Sequence, residues 1–371
     1  MKIGVPKEIK NHEYRVGLSP ASAKELIAHG HEVNIETGAA QGIGLSDKAY
    51  TDIGANIVDK AESIFAENDM IIKVKEPQAK ECSQLNKGQL LFTYLHLAPD
   101  PEQTAALLES GVTAIAYETV TGPNNTLPLL APMSEVAGRL SAQAGAHCLE
   151  RAQGGSGVLM GGVPGTRPAN VFVIGGGVVG QNAAYIAKGM GAKVTIVDRS
   201  IPRLRELDIE FGGRVTCLYS TKEAIENHCA EADLVIGAVL LPGANAPKLV
   251  TRDIIRSMKP GSVIVDVAID QGGCLETSKA TTHQDPTFVI DDVVHYCVAN
   301  MPGAVPQTST YALNNATLPF ALSMANQGWK KAMQQDAHLL NGLNIHEGEV
   351  YYAAVAEAQG LSFIDASSLI T

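Results

Sequence analysis

The chain has 371 residues, 45% of them hydrophobic and 18% charged, which suits two or three ordinary domains with real cores and excludes long disorder. A net charge of −11, with no Lys/Arg run longer than "WKKA" (329–332), excludes a general phosphate-backbone binder, which needs clustered cations to displace counterions. No uncharged apolar stretch approaches the roughly 18–20 residues of a membrane helix, the N-terminus "MKIGVPKEIK" has no long apolar region, and none of the six cysteines forms a C-x-x-C pair. The expectation is a cytoplasmic chain with reduced thiols, no signal peptide, no membrane partner and no nucleic-acid partner.

Short β-branched runs alternate with helix-like segments along most of the chain, the pattern of βαβ units and parallel sheets. Strands are expected at 2–5, 32–36, 70–75, 89–95 and 112–118. Helices are expected at 20–29, with Ser19 as N-cap and Pro20 in the first turn, and at 101–109. "TGPNNTLPLLAP" (121–132) reads as loop, 133–153 as one long helix, and 154–170 as a Gly-rich loop or hairpin. A second array follows, with strands near 171–175, 193–197, 215–219, 233–239, 262–268 and 287–290. After about 302 the pattern turns helical, at 310–328 and 349–360. The tail is expected to pack back on the first domain. His346 is expected to start the last helix, and Tyr351 and Tyr352 to be packing residues.

"VFVIGGGVVGQNAAYIAKGMGAKVTIVDR" (171–199) contains Gly175-x-Gly177-x-x-Gly180. On its own this spacing is a weak signal in a chain with 36 glycines. Here an apolar strand precedes it, a helix starts near 179, and a second strand ends in Asp198. The whole spans about 30 residues, as a dinucleotide-binding unit does. Gly175 allows the tight turn, Gly177 lets the backbone approach a pyrophosphate, and Gly180 lets helix and strand pack closely. The phosphates would sit at the helix N-terminus, where free N–H groups and the helix dipole favour anions. A carboxylate at Asp198 would accept from ribose hydroxyls and repel a 2′-phosphate, which favours NAD. Arg199 is the counter-indication, because a neighbouring Arg can hold that phosphate. A nucleotide-free unit of the same fold is the alternative.

In open parallel sheets, ligands bind outside the carboxyl ends of the strands. Lys75, His96 and Glu118 end strands of the first array; Asp198, Ser220 and Asp270 end strands of the second. The predicted fold is α/β: two Rossmann-like doubly wound parallel-sheet domains with a cleft between them. Residues 1–130 plus 303–371 form the substrate domain, and 131–302 the NAD-binding domain. His96 ends "LLFTYLH" (90–96), so it is either a core histidine with one hydrogen bond or an acid/base. Imidazole titrates near neutrality and serves both directions of a proton transfer. Arg15, between the first strand and the first helix, and Lys75 are candidate anchors for a carboxylate. Glu118 has capping or pairing as its competing role. The ten histidines show no HExxH or paired ligand spacing, so no metal is expected.

"IGVPKEIKNHEYRVGLSP", "MIIKVKEP", "TYLHLA", "APMSEVAGRL", "VIGGGVVG", "VANMPGAVPQTST" and the total length resemble the alanine dehydrogenase family over the whole chain. The NAD-binding part of proton-translocating transhydrogenase is similar at "GVPKE", at the Lys75 strand and at the Gly loop, but lacks a histidine at the place of His96. The resemblance implies reversible oxidative deamination of L-alanine to pyruvate and ammonium with NAD. It implies that Arg15 and Lys75 contact the substrate carboxylate and carbonyl, and that His96 and Asp270 handle protons. It further implies cofactor contacts at Ser134, at Val178 and Val179 on the pyrophosphate turn, at Asp198 on the ribose, and at Arg203 and Ser220 on the adenosine side. Val239, Leu240, Val267, Ala268, Ile269, Asp270, Val298, Ala299, Asn300 and Met301 would frame the nicotinamide. The alternative for Arg203 and Ser220 is a polar side chain that simply faces solvent. A homohexamer is implied by the family alone. The competing functions are an opine- or saccharopine-like dehydrogenase with a larger substrate, and an NADH-sensing protein without turnover.

Overall fold

The computed structural model describes residues 1–239 and 246–370. They form two compact units, one of Met1–Met133 with Val305–Thr371 and one of Ser134–Ala304. The first contains β1 (Lys2–Val5), β2 (Glu32–Glu36), β3 (Asn56–Val58), β4 (Met70–Ile72), β5 (Leu90–Thr93) and β6 (Thr113–Ala116). The second contains β7 (Asn170–Ile174), β8 (Lys193–Asp198), β9 (Thr216–Tyr219), β10 (Leu234–Gly237), β11 (Val263–Asp266), β12 (Thr287–Ile290) and β13 (Val293–Tyr296). The chain then returns to the first unit with β14 (Leu343–His346) and β15 (Glu349–Val350).

The first sheet has the order β15-β14-β6-β5-β4-β1-β2-β3, and the second β12-β13-β11-β10-β7-β8-β9. Pairing is parallel except for β14, β15 and β12. Strands β4, β5 and β6 are buried at every residue, as expected where helices cover both faces of a parallel sheet. Strand order reverses between β1 and β4 in one sheet and between β7 and β10 in the other. Connections leave toward opposite faces there, so the carboxyl ends open a crevice for a ligand.

Local chemistry explains the element ends. Ser19 caps the helix Pro20–Ala28 by accepting from the Ser22 N–H at 3.2 Å, with Pro20 in the first turn. The tail helix Pro306–Gln327 packs on the loop before it. The Asn314 side-chain oxygen accepts from the Ser19 N–H at 2.7 Å, and the Thr310 hydroxyl oxygen accepts from the Val16 N–H at 3.3 Å. The loop carrying Arg15 is thereby fixed from the far end of the chain.

Several expected elements are shorter or different. The long helix covers Ala131–Cys148. The strand expected to end at Lys75 stops at Ile72. Lys73 and Val74 still bond the backbone of Phe92 and Tyr94, while the side chains of Glu8, Tyr117 and Thr93 take the other polar groups of residues 73–75. Glu118 lies in a 3₁₀ turn, Tyr117–Thr119, and the expected 262–268 strand ends at Asp266 before a 3₁₀ turn over Val267–Gln271. His346 does not start a helix: it ends β14, is buried, and its Nδ1 lies 2.8 Å from the Thr113 hydroxyl. The segment 349–360 opens with β15, and its helix runs only over Ala353–Gln359. The cause is a two-residue hairpin turn at Glu347 and Gly348, both with positive φ (46° and 84°), the backbone such turns require.

Candidate active site

The polar groups of the first unit gather beyond the carboxyl ends of β1, β4 and β5, at its switch point. The chain after β1 carries Glu8, Glu13 and Arg15; the chain after β4 carries Lys73 and Lys75; the chain after β5 carries Tyr94 and His96. Arg15 is 2% exposed. Its Nε and Nη2 donate to the two carboxylate oxygens of Glu13 at 2.6 and 2.5 Å, a bidentate charge-assisted pair. Its Nη1 approaches the Met133 sulfur at 3.0 Å. Burial works against the guanidinium charge, and Glu13 more than offsets it, so the pKa is raised and the charge is retained. A thioether is a weak acceptor. A ligand carboxylate reaching Nη1 would gain a charge-assisted bond in its place.

Lys75 is mostly buried, and its ammonium lies 4.0 Å from Glu76. Glu76 also pairs with Lys10. Burial raises the Glu76 pKa, but Lys75 and Lys10 outweigh it and hold it below the usual carboxylate range. His96 is not a core histidine: its side chain is 46% exposed. Its φ of 50° is in the left-handed region, uncommon for a residue with a side chain and a recurrent sign of local constraint at functional sites. Glu118 imposes that conformation by accepting the Leu95 and His96 N–H groups, the latter at 2.6 Å. Its carboxylate lies 3.9 Å from His96 Nδ1. Tyr94 stacks on the imidazole with ring centroids 5.8 Å apart and planes at 6°. Its hydroxyl donates to the Leu129 carbonyl at 2.6 Å.

In the second unit the Gly loop follows β7 and opens the helix Val178–Gly189. Gly175 has φ 105°, and a Cβ there would lie 2.7 Å from the Ala238 carbonyl. A Cβ on Gly180 would lie 1.8 Å from the Gly175 oxygen. Both glycines are therefore demanded by the chain's own packing. Gly177 differs: no protein atom lies within 4 Å of a Cβ built there, and the helix it starts has no side-chain cap. Open space in front of uncapped N–H groups fits a phosphate. Gly180→Ala should therefore fail to fold or melt far lower. Gly177→Ala should fold normally and lose NADH affinity by about tenfold or more, read by fluorescence titration and thermal melting. Equal NADH affinity in Gly177→Ala would refute the phosphate assignment.

Asp198 ends β8. Its carboxylate accepts the Gly176 N–H at 2.7 Å and the Ser200 N–H at 2.8 Å. Each oxygen retains a lone pair for a hydroxyl donor. Arg203 donates through Nε to the Gly176 carbonyl at 2.7 Å and also contacts Gln181 and Glu206. It ties the Gly loop to the helix that follows β8. Ser220 follows β9 and donates its N–H to the Asp198 carbonyl at 3.0 Å. Val239 follows β10 and packs on the apolar core; Leu240 lies outside the described residues. Val267, Ala268, Ile269 and Asp270 form the 3₁₀ turn after β11, with Asp270 exposed. Val298 and Met301 are buried, Ala299 and Asn300 partly exposed, and Asn300 has φ 61°. Ser134 lies in the first turn of Ala131–Cys148.

Sequence reasoning did not single out Glu8, Glu13, Lys73, Tyr94 or Asp266. Asp266 is fully buried at the end of β11, and burial raises its pKa against bonds from Ser278 and Cys274. It accepts the Ser278 hydroxyl at 2.6 Å and the Cys274 N–H at 3.1 Å, which holds the segment after Asp270. Among the described residues no group of three or more His, Cys, Asp or Glu could hold a metal ion, and no helix is long and apolar enough to cross a membrane.

Family models described as "Alanine dehydrogenase/PNT, N-terminal domain" and "Alanine dehydrogenase/PNT, C-terminal domain" match residues 4–137 and 141–353. The chain is 59% identical over 370 residues to an alanine dehydrogenase of Halomonas elongata, covering 100% of both chains. A solved L-alanine dehydrogenase is 54% identical, with a TM-score of 0.94 over 97% of this chain and 99% of that one. A transhydrogenase from Sinorhizobium meliloti is 26% identical, with a TM-score of 0.81 over 95% of this chain and 100% of that one.

Proposed function

The chain belongs to the alanine dehydrogenase/PNT family, which implies an oxidoreductase with a nicotinamide cofactor, and from that premise we propose that it interconverts L-alanine and pyruvate using NAD. L-Alanine, NAD and water give pyruvate, ammonium, NADH and a proton. The observation that carries this reading is the gathering of Arg15, Lys75 and His96 beyond β1, β4 and β5, at the switch point of one sheet. A cofactor-sensing protein without turnover has no use for these three together.

The nicotinamide, when bound, supplies the acceptor for the hydride leaving alanine Cα. The Arg15 guanidinium, kept charged by Glu13, takes the substrate carboxylate. The Lys75 ammonium faces the oxygen that becomes the pyruvate carbonyl and offsets charge developing there. Water adds to the iminium carbon, and His96 accepts its proton. The resulting carbinolamine releases ammonia as His96 and Asp270 exchange protons with the nitrogen and the hydroxyl. Glu118, whose carboxylate accepts the His96 N–H, holds the backbone that carries the imidazole.

Support for NAD over its phosphorylated form comes from Asp198, whose carboxylate would repel a 2′-phosphate. Arg199 is exposed beside it and makes the ratio of the two cofactors the informative measurement. Wild-type kcat/KM should strongly favour NADH, and Asp198→Asn should narrow the preference by about tenfold, as one close charge repulsion is removed. NADH affinity should fall as well, because an amide oxygen cannot keep both backbone bonds as well as a carboxylate does. Comparable wild-type kcat/KM with NADH and NADPH would sink the assignment. Loss of NADH absorbance that needs both pyruvate and ammonium tests the reaction itself, and turnover only with bulkier oxo acids would favour the opine-type alternative. A cytoplasmic location is supported by six unpaired cysteines. Assembly into a homohexamer rests on the family resemblance.

A further inference from the structure

Lys73, Val74 and Lys75 have left the ladder of β4, yet every backbone polar group of the three is bonded. The Lys73 N–H donates to the Phe92 carbonyl at 3.2 Å, and the Lys73 carbonyl accepts the Tyr117 hydroxyl at 3.0 Å. The Val74 carbonyl accepts the Tyr94 N–H at 3.3 Å, and the Lys75 carbonyl accepts the Thr93 hydroxyl at 2.9 Å. The two remaining donors, the N–H groups of Val74 and Lys75, both go to Glu8 Oε1, at 2.7 and 3.4 Å. Glu8 Oε2 takes the buried Lys73 ammonium at 3.2 Å, and Glu81 takes it at 2.7 Å. Side chains of Glu8, Lys73 and Glu81 are each at most 4% exposed.

A buried ion cluster is expensive to desolvate and is a poor source of net stability compared with apolar packing. It sits here against the backbone that carries Lys75. Glu8 also belongs to the loop that carries Glu13 and Arg15, and Lys10 of that loop pairs with Glu76, the neighbour of Lys75. The two cation-bearing segments are thus tied together twice.

We propose that Glu8 is a positioning residue for Lys75: one carboxylate oxygen clamps the backbone of Val74 and Lys75, and Lys73 with Glu81 holds that carboxylate in place. The inference rests on the reading of Lys75 as the contact to the reacting oxygen. Lys73 itself makes no contact with substrate in this account; its role is to orient Glu8, and its charge opposes the burial that raises the Glu8 pKa. The side chain that stands two residues from Lys75 therefore acts through the backbone, with Thr93 as the second tether.

The test compares Glu8→Ala with Glu8→Gln. Glu8→Ala leaves a neutral Lys73–Glu81 pair and frees both N–H donors. It should lower kcat/KM for pyruvate about a hundredfold, the usual result of a displacement near 1 Å at a reacting group, with NADH affinity unchanged. Glu8→Gln keeps an acceptor for the Val74 N–H and should recover most of the loss. Should Glu8→Ala fail to fold, Thr93→Val removes the other tether at constant volume and should lower kcat/KM for pyruvate about tenfold, with Thr93→Ser restoring it. Wild-type kinetics in Glu8→Ala or Thr93→Val, or Glu8→Gln as damaging as Glu8→Ala, would overturn the proposal while a dead Lys75→Ala enzyme leaves the site reading standing. Wild-type turnover in Lys75→Ala would overturn both. A merely structural Glu8 would lower the melting temperature and the yield of active enzyme without changing the kinetic constants of the enzyme that folds.

Discussion

His96→Ala should lower kcat by about a hundred- to ten-thousand-fold, the range that a positioned acid/base contributes, while the melting temperature and NADH affinity stay near wild type. Side-chain exposure of 46% sets the second half of that expectation, since truncating a half-exposed side chain opens no cavity and exposed substitutions usually stay within about 0.5 kcal/mol. The backbone at φ 50° permits a sharper comparison. Glycine enters the left-handed region without the steric cost that any Cβ carries. His96→Gly should therefore be at least as stable as His96→Ala and equally inactive, so that stability and turnover move apart. A histidine retained for its fold would make both variants less stable and leave kinetics nearly unchanged. A limb of the pH–rate profile that belongs to the imidazole should also vanish in His96→Gln. Near-normal turnover in a well-folded His96→Ala enzyme would move the proton chemistry to Asp270.

Residues that end apolar strands were legible in the sequence because a parallel strand is a short apolar run, and its first polar residue marks the carboxyl end. That logic located Asp198 at the end of β8 and the Gly loop, whose spacing encodes a backbone shape, whereas His96 stands three residues beyond the end of β5 at Thr93. It failed where side chains stand in for a ladder. Lys75 follows a strand that ends at Ile72, because Glu8 and Thr93 hold its backbone, and a contact across 67 positions leaves no local period. Lys73 is a lysine at 1% exposure, which composition rules assign to a surface; only its two carboxylate neighbours make its burial tolerable. The strands β13 and β14 were hidden by their turns. Asp291 and Asp292 at φ 49° and 60°, and Glu347 at 46°, make tight hairpins with acidic residues where Asn-Gly is the usual signal. "DD" and "EG" in turn read as loop or as the start of a helix.

Arg15→Ala and Lys75→Ala should both abolish pyruvate turnover, but for different physical reasons that stability can separate. Lys75 has a mostly buried stem and one carboxylate 4.0 Å away. Glu76 keeps its Lys10 partner when Lys75 is lost. Lys75→Ala should therefore fold and bind NADH like the wild type, with kcat reduced by about a thousandfold as the charge opposite the reacting oxygen disappears. Arg15 is different, because its guanidinium is the bidentate partner of Glu13, a carboxylate with no side-chain exposure. Breaking a buried ion pair by removing one member typically costs about 3–5 kcal/mol. Arg15→Ala should thus be clearly destabilised, because the bidentate pair with the buried Glu13 carboxylate is broken. Arg15→Ala/Glu13→Gln removes both charges of the pair and should regain much of the melting temperature without regaining turnover. The contrast decides the role of Arg15. Restored stability with restored activity would make the pair a structural strut, whereas restored stability with no pyruvate turnover and intact NADH binding leaves the guanidinium as the group that holds the substrate carboxylate.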